Sequence, residues 1–106
     1  MTITPAATIA GFRIVKTLGL VRGNTIRARN VGRDIVAIIK NLIGGEIEEY
    51  TKMMGESREQ ALARMVEMAS ELGADAVTDV RFTTSVVMGG AAEMLAFGNA
   101  VLIEQE

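Results

Sequence analysis

Apolar side chains recur in steps of three and four between Ile47 and Leu72: Ile47, Tyr50, Met54, Leu62, Met65, Met68 and Leu72, with Ala61 and Ala69 filling in. Such spacing draws a single stripe along a helix. Glu46, Glu48 and Glu49 load the first turn with negative charge, where the helix dipole favours it. Gly73 follows the last stripe residue and can take the left-handed conformation that ends a helix. The pattern predicts one helix over 46–72, roughly 40 Å long at 1.5 Å per residue. A globule of this size has a radius of gyration near ~13 Å. Everything else must pack along that helix or leave part of it for a partner.

On either side the period changes towards two. From Arg13 to Ile26 the residues Ile14, Val15, Leu18, Leu20, Val21 and Ile26 alternate loosely with polar ones, predicting a strand. Gly19 inside it suggests a bulge or close backbone approach, and Gly23-Asn24 a turn or a second bulge. From Ala76 to Met88, Val80, Phe82, Val86 and Met88 share a face with Ala76, Thr78 and Thr84. Gly89-Gly90 then makes a hairpin turn, and Met94 to Ile103 returns. That last strand has a large face (Leu95, Phe97, Val101, Ile103) and a small one (Ala96, Gly98, Ala100). Both are apolar, and one helical layer covers only one face of a sheet. The other face is expected to meet another subunit.

Two stretches are less regular. Thr2 to Phe12 holds the only proline, Pro5, and reads as an arm with at most a short extended piece. Between Asn30 and Gly45, Ile35, Ile38, Ile39 and Leu42 fit the helix template, although Ile35 to Ile39 also fits a buried strand. Lys40, Asn41 and the closing Gly44-Gly45 favour the helix.

Composition narrows the chemistry. The 106 residues suit one domain, 1–106, with a single core. With 4 % aromatic residues that core must come from Ile, Val, Leu, Ala and Met. The chain contains no cysteine and no histidine, which removes thiolate chemistry, the commonest general base and the commonest transition-metal ligand. Seven methionines suggest soft-metal thioether ligands, but packing into irregular core gaps explains them better. Nucleotide loops and nucleophile elbows are missing. The acids Glu46, Glu48 and Glu49 belong to a helix start, and Asp75 is expected to satisfy backbone amides at the helix end. Neither a signal peptide nor a ~20-residue apolar span is visible, so a cytoplasmic location is the default expectation.

Charge is unevenly spread. Residues 1–45 sum to +6 and the remainder to −8, against a net −2. A nucleic-acid footprint on Arg22 to Arg33 would need aromatic neighbours, which are lacking. The alternatives are a solvated basic loop, or a basic segment that meets the acidic helix of a neighbouring copy. Two different complementary patches make a heterologous contact, which closes into a ring when the rotation allows.

Gly44-Gly45, Tyr50, Arg58 and Leu72-Gly73-Ala74-Asp75-Ala76-Val77, preceded by Thr4-Pro5, Gly11, Val21, Gly23, Asn30 and Arg33-Asp34, resemble the uncharacterised YbjQ-like family along nearly the whole chain. The resemblance implies an α+β, two-layer β-α-β-β subunit similar to the dodecin-like group: a mainly antiparallel three-stranded sheet packed on one long helix. It also implies a homopentameric ring and carries the family title "putative heavy-metal-binding". Arg33, Asp34 and Arg58 match the family pattern and are the candidate ligand-binding residues; no cofactor or metal follows from the sequence. Two functional classes are expected. One is a non-enzymatic homo-oligomer holding a small ligand or metal ion between subunits. The other is an enzyme with an inter-subunit carboxylate and arginine site.

Overall fold

The computed structural model describes residues 1–27, 47–87 and 91–106. Its elements run β1 (Thr2–Ile3), β2 (Phe12–Arg27), α1 (Ile47–Glu71), β3 (Ala76–Val87) and β4 (Ala91–Gln105). The helix expected near 35–43, candidates Arg33 and Asp34, and the Gly89-Gly90 turn lie outside the described residues. The class is α+β, as expected, with one helix against a sheet among the described residues. The sheet, however, is four-stranded and mixed, in the order β1-β3-β4-β2. The antiparallel pairs β2–β4 and β3–β4 form its body, and β1 adds a parallel pair through Thr2–Ala76 and Ile3–Val77. The arm's short extended piece is thus a fourth strand at the edge.

The helix ends where the sequence signals it. Gly73 has φ +79°, the Gly73 N–H donates to Ser70 O at 3.0 Å, and the Ala74 N–H donates to Ala69 O at 3.0 Å. These two bonds satisfy carbonyls that a helix end otherwise leaves open. Asp75 acts elsewhere than expected. Its carboxylate accepts the Ile103 N–H at 3.0 Å, while its own N–H donates to Val101 O at 2.9 Å. It therefore pins the link between α1 and β3 to the end of β4.

Small residues form the seam between the layers. Ala61, Met65 and Ala69 of α1 are fully buried against Val21, Val77, Ala96 and Ala100. The helix thus lies on the small face of β4, and the larger stripe residues Met68 and Leu72 stay partly exposed. Gly23 is neither a turn nor a bulge. It pairs with Ala96 inside β2, and a side chain there would overlap the Ala61 carbonyl and the Met65 amide nitrogen. Close approach of two backbones is what that glycine permits. Gly19, at φ +137°, lies where the β2–β4 register shifts, as a bulge should.

A bulge also corrects the faces assigned to β3. The β3–β4 register shifts between Thr78 and Arg81, and Asp79 sits at φ 56°. Val77 and Val80 consequently both join the core under the helix, while Ala76 and Thr78 turn to the other face. At that end, residues 4–11 carry the chain between the two edge strands. The Asp79 N–H donates to Ala6 O at 3.0 Å and the Val80 N–H to Thr4 O at 3.1 Å.

Candidate functional site

Because α1 packs chiefly over β2 and β4, the helix-facing side of β3 is left open beyond Val80. Phe82 and Val86 lie there, exposed. Between Phe82 and the helix flank runs an open groove of about 950 Å³ lined by Gly55, Glu56, Arg58, Glu59, Gln60, Leu62 and Phe82. A second hollow of about 470 Å³ adjoins it and shares Leu62 and Phe82, with Ile3, Thr4, Pro5, Val80 and Arg81 completing its walls. Together they follow the boundary between α1 and the β1–β3 edge.

Helical spacing builds the charged wall. Gly55, Arg58, Glu59 and Leu62 are separated by three or four residues and so share one flank. Gly55 leaves room beside the guanidinium: a β-carbon placed there would stand 3.8 Å from Arg58 Nη2. The floor is apolar, from Leu62 and Phe82. An anionic or planar polar group could meet Arg58 above an apolar base, and two carboxylates stand beside it. Arg58 is therefore the sequence candidate that lines a groove in the structure. Arg33 and Asp34 cannot be set beside it, since they lie outside the described residues. Sequence reading missed Gly55, Leu62 and Phe82 as residues of this groove, although a glycine inside a helix, which costs about 1 kcal/mol relative to alanine, was a usable signal.

On the opposite face, Asn99 Nδ2 donates to Asp79 Oδ2 at 3.2 Å. Arg81 Nη1 donates to the carbonyls of Pro5 and Val80 at 2.8 and 2.9 Å. These bonds lock the bulge and the arm together, so their side chains are explained by structure.

A heavy-metal site needs converging soft or imidazole donors. The sequence has neither cysteine nor histidine, and among the described residues no three acidic side chains converge. Among the described residues such a site would have no thiolate, imidazole or acidic cluster to hold the ion.

Residues 1–104 match the profile of a family described as YbjQ_1, "Putative heavy-metal-binding". A "UPF0145 protein" of Methanosarcina acetivorans is 55 % identical over 103 residues, covering 97 % of each chain. One from Archaeoglobus fulgidus is 56 % identical over 99 residues, covering 93 % of this chain and 92 % of that one. A crystal structure of a protein of unknown function of the DUF74 family, from Pediococcus pentosaceus, superposes with a TM-score of 0.69 at 18 % identity, covering 98 % of both chains. At that identity it supports the fold alone. Among the described residues no helix is long and apolar enough to cross a membrane.

Proposed function

The chain belongs to the YbjQ_1 family, and from that premise we propose that it works as a non-enzymatic homo-oligomer whose assembly builds a small-ligand site between copies. The ring is of five, as the family resemblance implies, and the site is the Arg58 groove. One observation carries this reading: the groove has a charged wall, an apolar floor of Leu62 and Phe82, and an open side. Sites that hold small molecules are usually concave, mostly apolar and closed over most of the ligand. A neighbouring copy would supply the missing wall. The ligand class that suits Arg58 over Phe82 is a small anion with an apolar or planar body.

Glu56 and Glu59 beside Arg58 favour a second reading, an enzyme with an inter-subunit carboxylate and arginine site. Native mass spectrometry of protein purified from its own cells, with elemental analysis, separates the two. A small molecule at fixed stoichiometry to an assembled ring is the expected result. A stoichiometric metal held by oxygen ligands would favour the second reading, and a monomer would sink the first.

A further inference from the structure

We propose that the Arg58 groove takes a free α-amino acid with an apolar side chain, its carboxylate on Arg58, its ammonium on Glu59 and its side chain in the hollow beyond Leu62. The proposal rests on the reading of that groove as a small-ligand site and names the class of the ligand.

Opposite charges stand on one wall of the groove without meeting. Among the described residues Arg58 makes no ion pair, with Glu56, Glu59 or any other acid. The helix explains why. Side chains pair along a helix at steps of three and four, whereas sequence neighbours diverge by about 100°. The positions three and four away from Arg58 are Met54, Gly55, Ala61 and Leu62, all uncharged. Those around Glu59 are Gly55, Glu56, Leu62 and Ala63, with no cation among them. Each charge is thus left without a partner on its own helix. A guanidinium and a carboxylate held apart in this way can take both ends of a zwitterion. A plain anion would leave Glu59 uncompensated beside it, and a plain amine would leave Arg58 so.

Gly55 sets where the head of the ligand rests. Around the helix axis Arg58 lies about 60° to one side of Gly55 and Glu59 about 40° to the other. Leu62, two turns on, falls within about 20° of the Gly55 line. The missing side chain leaves a shelf between the two charges, and Arg58 leans over it, since a β-carbon at Gly55 would stand 3.8 Å from Arg58 Nη2. An α-carbon on that shelf has its carboxylate at a guanidinium fork, which matches a carboxylate with charge-assisted hydrogen bonds. Its ammonium then points towards Glu59.

From the shelf the groove leads to Leu62 and Phe82, which it shares with the second hollow. Arg58 to Leu62 is about 6 Å along the helix axis, within the reach of a leucine or phenylalanine side chain. The hollow, of about 470 Å³, is walled by Ile3, Pro5 and Val80 as well. Its polar side chains are already engaged. Arg81 Nη1 donates to the carbonyls of Pro5 and Val80, and Thr4 Oγ1 accepts the Ala6 N–H at 3.1 Å. What remains for a ligand there is apolar surface. An apolar pocket with a few placed polar groups that fix orientation is the usual form of a small-molecule site.

Isothermal titration calorimetry on the full chain tests the assignment with L-phenylalanine as the probe. 3-Phenylpropanoate lacks only its ammonium, 2-phenylethylamine only its carboxylate, and glycine only its benzyl group. L-Phenylalanine is expected to bind at least about tenfold more tightly than each of the three. Glu59→Gln should bring it to within about threefold of 3-phenylpropanoate without weakening 3-phenylpropanoate itself. Arg58→Gln should weaken both by about tenfold or more. Both positions are exposed on α1, and circular dichroism checks that the variants fold. If 3-phenylpropanoate binds wild type as tightly as L-phenylalanine, the amino acid is overturned and the groove stands as a site for a simple anion. L-Phenylalanine bound equally by wild type and both variants overturns the placement on Arg58 and Glu59. If none of the four binds, the amino acid is overturned, and the molecule retained in native mass spectrometry decides the groove separately.

Discussion

Gly23 of β2 lies directly beneath Ala61 of α1, so close that the glycine hydrogen occupies space no methyl group could take. The neighbours are backbone atoms of Ala61 and Met65, which cannot swing aside as a side-chain tip would. This contact sets the distance between the two layers.

Gly23→Ala should therefore push the helix off the sheet. Overpacking of a tight core costs typically 1–3 kcal/mol, and the upper part of that range is expected where backbone must move. Urea unfolding should show a lower midpoint with an unchanged slope. A midpoint equal to wild type would mean that the layers are further apart than described.

Gly55→Ala should act in the opposite direction. Gly55 is inside α1, and a methyl group there meets Arg58 Nη2 at an ordinary 3.8 Å. Replacing an interior helical glycine by alanine is expected to add about 0.5–1 kcal/mol of stability. The same methyl would stand at the wall of the groove. A rise in thermal midpoint together with weaker ligand retention in native mass spectrometry would support both the helix geometry and the site; a lower midpoint would contradict the geometry.

These two glycines show what local pattern conveys and what it does not. The helix was legible because its signals are local: apolar steps of three and four along it and Gly73 at its end. The strands were legible from their alternation. Gly23-Asn24 was misread since the same dipeptide serves a turn or a close approach, and only the position of Ala61 decides between them. The faces of β3 were misassigned because Asp79 takes a left-handed conformation without being a glycine. One inserted residue exchanges the faces on either side of it. Pairing of β1 with β3 was invisible, as two residues carry no period. Arg58 was singled out from the sequence, whereas its groove depends on Leu62 and Phe82 meeting across twenty residues of chain.

Buried polarity gives a third prediction. Ser57 is buried, and its Oγ has no hydrogen-bond partner among the described residues, although its carbonyl accepts from Thr25. An unsatisfied buried hydroxyl costs about 1–3 kcal/mol. Ser57→Ala removes that group and keeps the carbonyl, so stability should be equal or higher, by up to about 1 kcal/mol. A loss above that size in urea unfolding would reveal a partner for the hydroxyl.

Asp75 supplies the fourth. Its carboxylate accepts the Ile103 N–H at 3.0 Å, and its own amide is held by Val101. Asp75→Ala keeps the backbone bond and deletes the carboxylate, which removes the acceptor of one amide at the end of β4. Hydrogen bonds to charged groups contribute about 1.5–3 kcal/mol, and partial exposure of this residue places the expected loss towards the low end of that range. Asp75→Asn retains an acceptor oxygen and should recover about half of the loss. Amide exchange localises the effect: the Ile103 N–H should exchange faster in Asp75→Ala, while Val21 and Ala96 in the core stay protected until global unfolding. Equal exchange at Ile103 in wild type and variant would show that Asp75 does not hold that strand end.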